Sequence, residues 1–340
     1  LLALMTMLTL SMACAGAAAT PTPTREPTPA TEQPGCQPVA PTLGVAFEPS
    51  FQSFPGMNTF QTALHSHART EGGRMIILRR VAFPTAVLVL ATSLLGACGT
   101  PAPKAATFTS LYDNYIYDPA LDSGWGFACL VETARSTVLF DTGASGESLL
   151  ANMAALGKDP LAVDAVVLSH PHDDHTAGLP ALLAAGARPK VYLLSSFPSG
   201  YLQMVRAYSE PVVVRGPMQI APGISTTGPV SGPIPEQALI VETGEGLTVV
   251  TGCAHPGVVN MVRQAMDATG QQVTLVMGGF HLASEGEARI QTIIDQLRGL
   301  GVQQVGPSHC SGDRARALFE AAFGDGYLAM GVGRVVAVEP

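Results

Sequence analysis

The run LSHPHDDHTAGL, residues 168–179, puts His170, His172, Asp173, Asp174 and His175 into six consecutive positions. A packed interior does not accept that density of polar groups unless each has a partner. The run overlaps the end of AVVLS (165–169), a short apolar stretch that reads as a buried strand. The cluster therefore begins where a strand ends. Alternate side chains of an extended segment share a face, so His170 and His172 can address one ion. Asp174 and His175 fall at the turn into the next helix and can address a second ion beside it. Imidazoles and carboxylates together form the ligand set of zinc, manganese or iron. Asp173 reads as a solvated loop carboxylate.

The other histidines of the body repeat the pattern. His255 follows LTVVTGCA (247–254), His281 follows VTLVMGGF (273–280), and His309 follows a short run ending near Gly306. If these strands lie side by side, six histidines meet at one edge of the sheets. His65 and His67 stand apart, in the N-terminal segment.

Between these points the chain alternates strand and helix signals. FACLVE (127–132) and STVLFD (136–141) predict a strand pair turning near Ala134. Leu149, Leu150, Met153 and Leu156 recur at helical spacing and predict a helix over 146–156. Further helices are expected at 179–185, 257–268, 285–299 and 313–323. Further strands are expected at 190–194, 212–215, 238–242, 247–252, 273–279, 303–306 and 332–338. Residues 197–208 and 223–235 read as loops over the site, where specificity is commonly carried. Two β-rich halves interleaved with helices, without strict βαβ alternation, predict an α/β (α+β) fold with a four-layer αββα sandwich.

His170-x-His172-x-Asp174-His175, preceded by Phe140-Asp141-Thr142-Gly143 and followed by three further histidines, resembles the signature of the metallo-β-lactamase fold superfamily. The resemblance covers residues 107–340 and implies a dinuclear metal site at one edge of the sandwich. It implies His170, His172 and His255 as ligands of one divalent cation, and Asp174, His175 and His309 as ligands of a second. Asp141 is implied as their support from behind. Zinc is the expected cation, with manganese or iron as alternatives. The family's fourth motif usually supplies an aspartate that bridges both cations. Here that place reads Gly278-Gly279-Phe280-His281-Leu282. His281 is expected to take a catalytic or ligand role there, and the second site to be the weaker. LYDN (111–114), WGFACLVE (125–132), TGCAHPGVVN (251–260), GGFHL (278–282) and PSHCSG (307–312) resemble the dihydropterin-ribofuranosylaminobenzene-phosphate synthase-like branch.

The activity so implied is hydrolysis of an ester-type small molecule, such as a phosphoester, lactone or thioester, by a metal-activated hydroxide. Asp174 would orient the attack. A transferase or synthase like that of the branch is one alternative, and a non-catalytic metal-binding lipoprotein is another. No GxSxG stands in the chain, which argues against serine hydrolysis; Ser169 and Ser308 read as structural neighbours of ligands. Residues 99–340 carry 13 Lys+Arg against 22 Asp+Glu, a net charge of −9, with no basic stripe. That argues against nucleic acid as the main partner. The body cysteines, Cys129, Cys253 and Cys310, form no CxxC, and their odd number leaves at least one free thiol unless pairing is intermolecular.

The N-terminal part reads differently. MIILRRVAFPTAVLVLATSLLGAC (75–98) has a basic start, an apolar centre and small residues before Cys98, the layout of a secretory signal. Its Leu95-Gly96-Ala97-Cys98 ending resembles a bacterial lipobox and predicts export with a lipid anchor on Cys98, the protein's one link to the membrane. Residues 1–74 are a signal-like start followed by a Pro/Thr/Ala-rich stretch without hydrophobic period, which reads as disorder. Glu-Gly-Gly-Arg before Met75 predicts Met75 as the start and 1–74 as a spurious extension; a precursor lipidated at Cys14 is the rival. Residues 99–106 read as a tether.

Overall fold

Residues 105–339 are described by a computed structural model. The signal-like segments, Cys14 and Cys98 lie outside the described residues. Strands β1 (Ala106–Asp113), β2 (Phe127–Thr133) and β3 (Thr137–Phe140) open the domain, followed by helix α1 (Gly146–Ala155) and β4 (Ala165–Val167). Short helices α2 (Asp173–Thr176) and α3 (Leu179–Ala184) lead to β5 (Lys190–Leu194), α4 (Ser199–Tyr208) and β6 (Glu210–Val214). Then come β7 (Met218–Ala221), β8 (Ile224–Thr226), β9 (Leu239–Thr243) and β10 (Gly246–Thr251). The chain closes with α5 (Val258–Thr269), β11 (Val273–Gly279), α6 (Glu287–Gly299), β12 (Gln304–Ser308), α7 (Asp313–Phe323) and β13 (Val335–Val338).

The strands form two mixed sheets, a seven-stranded one in the order β13-β1-β2-β3-β4-β5-β6 and a six-stranded one in the order β12-β11-β10-β9-β8-β7. Alternation along the strands makes the layers. Leu239 and Val241 of β9 join the core formed with Phe108, Leu130 and Leu139 of the first sheet. Ile240, on the opposite face of β9, joins Val262 of α5, Ile294 of α6 and Phe319 of α7. Leu149, Leu182 and Val205 from α1, α3 and α4 pack with the core of the first sheet. The result is the expected helix–sheet–sheet–helix sandwich.

Two segments differ from expectation. Ser199–Tyr208 is helix α4, because Tyr201, Leu202, Met204 and Val205 find the core as an apolar stripe. Tyr201 Oη also donates to Thr176 O (3.0 Å), tying α4 to the end of α2. Within 223–235, Ile224–Thr226 is strand β8, and only the remainder is loop. No helix among the described residues is long and apolar enough to cross a membrane.

Strands β3 to β6 run parallel, as do β10 to β12. Their carboxyl ends carry Asp141, the 168–175 run, Cys253–His255, His281 and His309. Ligands in α/β sheets commonly bind at such ends. Among the described residues, four non-glycine positions adopt positive φ: Asp141 (57°), Ala254 (59°), His281 (54°) and His309 (46°). Each lies just after one of these strands. A left-handed non-glycine residue is strained and persists only where its surroundings hold it.

Candidate metal centre

Asp141 is fully buried and fixes the first part of the site. Its Oδ1 accepts from Ser169 N–H (2.7 Å), and its Oδ2 accepts from Ser169 Oγ (2.7 Å). Oδ2 also lies 2.7 Å from His175 Nδ1. An ionised carboxylate only accepts, so His175 carries a proton on Nδ1. Ser169 spends its hydroxyl proton on Asp141, so its contact with His170 Nδ1 (2.9 Å) has Oγ accepting. His170 too is therefore protonated on Nδ1. Asn114 repeats the device: its Nδ2 donates to His309 O (3.3 Å), and its Oδ1 accepts from His309 Nδ1 (2.9 Å). Three imidazoles are thus turned so that Nε2, with its lone pair, is the inward atom.

Those inward atoms converge. The ligand atoms of His170, His172 and His255 lie within 4.8 Å of one another, and so do those of Asp174, His175, Cys253 and His309. His170 Nε2 is 3.0 Å from His172 Nδ1. Asp174 Oδ2 is 3.3 Å from His309 Nε2 and 3.6 Å from His175 Nε2. His309 Nε2 and His255 Nε2 are buried without a hydrogen-bond partner. A buried nitrogen left unpaired is costly, and lone pairs facing a carboxylate repel unless a cation or proton stands between them. The donor set therefore fits divalent cations, as imidazole and carboxylate sites do.

The electrostatics agree. Burial and the surrounding imidazoles hold His170 well below the ordinary histidine range. Burial, then His281, brings His255 down to about 3. Burial also lowers His172. These rings are neutral, as metal-ligating imidazoles must be. Burial opposes charge on Asp174, but His309 and His175 beside it hold its carboxyl well below the usual range. Burial opposes charge on His175 as well, yet the Asp141 carboxylate overrides it and raises that ring to about 9. A proton can thus stand on His175 Nε2 where no cation does.

Glu236, which the sequence reading passed over, organises the loop carrying His255. Its Oε1 accepts from Cys253 N–H (2.9 Å) and Ala254 N–H (2.8 Å), and its Oε2 from His255 N–H (2.9 Å). Burial pushes its carboxyl up to about 7 against these bonds. Cys253 was also passed over as a site residue, and its Sγ lies 3.2 Å from His175 Nε2. Asn114 stood within LYDN without an assigned role. His281 is half-buried at the site: its ring centre lies 4.3 Å from that of His255, and its Nδ1 has no partner. Asp173 points to solvent. Ser308 Oγ donates to Asp113 Oδ2, behind His309. Trp125, 40% exposed, sets its ring 4.9 Å from that of His309 and forms an aromatic wall at the mouth of the site.

The two-sheet sandwich and the strand-end histidine cluster define a metallo-β-lactamase fold. Residues 126–266 match a family model described as the Metallo-beta-lactamase superfamily. The chain is 27% identical over 279 residues to the 7,8-dihydropterin-6-methyl-4-(beta-D-ribofuranosyl)-aminobenzene-5'-phosphate synthase of Methanocaldococcus jannaschii, covering 67% of this chain and 95% of that protein. Among solved structures it is similar to Tm1679, described as a metal-dependent hydrolase of the beta-lactamase superfamily. The TM-score is 0.61 at 27% identity, over 69% of this chain and 100% of that one. The fold is also that of YhfI from Bacillus subtilis, with a TM-score of 0.53 at 16% identity, over 69% and 99% of the two chains.

Proposed function

We propose that the protein is a metal-dependent hydrolase of a small-molecule ester, with His170, His172 and His255 holding one divalent cation and Asp174, His175 and His309 a second. The observation that carries this is the convergence of the ligand atoms of these six residues on two adjacent points, with His255 Nε2 and His309 Nε2 buried without a hydrogen-bond partner. When bound, such cations bring the pKa of a water near 7 and stabilise charge on the oxygen under attack. The protein's own groups do the rest. Asp141, Ser169 and Asn114 hold the ligand rings in one tautomer, as partners of metal-binding histidines do. Asp174 stays ionised and orients the attacking water by accepting its hydrogen bond. His281 presents Nδ1 as a proton-carrying group at the site. Trp125 walls the entrance and excludes water from a bound substrate.

Phosphoester, lactone and thioester substrates all suit this arrangement. The test is turnover by purified protein of bis-p-nitrophenyl phosphate, lactones and thioesters, with and without Zn2+ or Mn2+. Hydrolysis lost on chelation, restored by metal and abolished in Asp174→Asn is expected. A chain that binds metal and turns over none of the three classes contradicts the proposal. A second reading, synthesis rather than hydrolysis, is favoured by the 27% identity with the archaeal synthase. Product formed only when a dihydropterin donor and an aminobenzene acceptor are supplied together selects it. Export and lipid anchoring at Cys98 complete the proposal.

A further inference from the structure

We infer that Cys253 is a thiolate ligand of the second cation, so that this site presents nitrogen, oxygen and sulfur together and prefers thiophilic divalent metals. The inference rests on the metal-centre reading above and extends it. Asp174, His175 and His309 supply three ligand atoms, and the fourth atom that converges with them is Cys253 Sγ. It lies 3.2 Å from His175 Nε2, whose Nδ1 is already committed to Asp141. Zinc takes four ligands of this kind.

The packing shows why sulfur stands there. β10, β11 and β12 end so close together that no side chain fits on the middle strand. A Cβ on Gly278 would meet Thr251 O at 2.1 Å. A Cβ on Gly279 would meet Gly252 O at 2.2 Å and Cys310 Sγ at 2.8 Å. The tip of β11 therefore cannot present a carboxylate. The space it would use is taken by the Cys310 thiol and by the backbone at Gly252 and Cys253. The two thiols are not equivalent. Cys310 Sγ lies 3.6 Å from Cys253 O and converges with His281 on the far side of Cys253 Sγ, away from Asp174, His175 and His309. Of the two thiols, only that of Cys253 also reaches the Asp174, His175 and His309 atoms. Its backbone N–H is held by Glu236, and the next residue, Ala254, is held at φ 59°. The thiol is positioned by a built loop and is buried beside His175 and Cys310. A cation bound there would displace the thiol proton to solvent, as thiolate ligation requires.

The experiment is anaerobic titration of the metal-free full chain with Co2+, followed by absorption. The wild type is expected to bind two equivalents and to develop a thiolate-to-cobalt charge-transfer band with the second. Cys253→Ser should lose the band and bind the second equivalent more weakly by at least the ~10–100-fold that losing a ligand's supporting partner costs. Cys310→Ser should keep the band. Two cobalt ions bound without the band overturns the inference and leaves the metal centre standing. A band that survives Cys253→Ser, or is lost only in Cys310→Ser, overturns it as well. Failure to bind cobalt at all refutes the metal centre itself. Should Cys253→Ser not fold, X-ray absorption of the zinc-loaded wild type decides. A sulfur scatterer near ~2.3 Å supports the assignment, and only nitrogen and oxygen scatterers refute it.

Discussion

Asp141→Asn isolates the ring-orienting device from the ligands. The carboxylate takes three donors, Ser169 N–H, Ser169 Oγ–H and His175 Nδ1–H, on two oxygens. An amide has one oxygen and two N–H donors. If the amide oxygen stays on Ser169 N–H, its NH2 group confronts His175 Nδ1–H. That ring must then move its proton to Nε2 and aim it at the ligand cluster. If the amide turns over, His175 keeps an acceptor and Ser169 N–H is stranded. Either way a buried donor is unsatisfied, which costs ~1–3 kcal/mol. The two surviving bonds lose their charge assistance at about 1 kcal/mol each. The sum is about 3–5 kcal/mol of stability in the metal-free protein. In both orientations His175 loses its anionic partner, so the second cation should bind ~10–100-fold more weakly, or about 1.4–2.8 kcal/mol. Denaturant titration of the metal-free chain reads the first quantity, and calorimetric metal titration reads the second. Stability must be measured without metal, because a bound cation adds its own linkage. An Asp141→Asn chain that binds its second equivalent as tightly as the wild type refutes the claim that Asp141 sets His175.

Other perturbations separate the remaining parts. Asn114→Ala removes both bonds that orient His309 and should weaken the second cation by ~10-fold or more while sparing the first; equal weakening of both equivalents would contradict the assignment of His309. Glu236→Gln leaves one of three backbone N–H donors facing an amide NH2, lowering stability by ~1–3 kcal/mol. Loss of order should be confined to residues 253–255 in hydrogen exchange, and unchanged protection there would remove Glu236 from its role. Trp125 is the chain's single tryptophan, so Co2+ should quench its emission with the second equivalent; constant emission across the titration would place that cation away from His309. Cys98→Ala should abolish fatty-acid labelling and membrane recovery of the expressed precursor, and labelling that persists would refute lipidation at Cys98.

Much of the metal centre could be read from the sequence because its histidines follow apolar runs, and a strand end is the point where polar groups can gather without entering the core. β11 and α7 fall where their patterns put them, at Val273–Gly279 and Asp313–Phe323. α4 was hidden because Pro198, Gly200 and Tyr201 are poor helix signals. Its apolar stripe acts only once the first sheet exists to receive it. β7 and β8 lie in a Gly/Pro-rich stretch and are short. Glu236 sits in PIPEQ, 19 residues before His255. No local pattern marks a carboxylate that will accept from the backbone of a distant loop. Cys253 and Cys310 are 57 residues apart and meet only because β10 and β12 flank β11. Spacing rules for metal-binding cysteines describe ligands on one turn or hairpin, and these lie on neither.

The strained residues and the orphaned nitrogens have one origin. Five loops leave parallel strand ends toward a common point, and each must turn sharply enough to aim a side chain inward. Asp141, Ala254, His281 and His309 take left-handed backbone to do so, at a cost of ~1–3 kcal/mol each. The same geometry buries His255 Nε2 and His309 Nε2 without partners. A divalent cation relieves the orphaned nitrogens and the repulsion around Asp174 at once, since one ion satisfies several inward lone pairs and the carboxylate together. The two cores behind the strands supply the stability that holds these turns in place, and cation binding returns part of it by linkage. In this fold the strained turns and the buried polar atoms therefore belong to one arrangement at the strand ends, the one the proposed cations would satisfy.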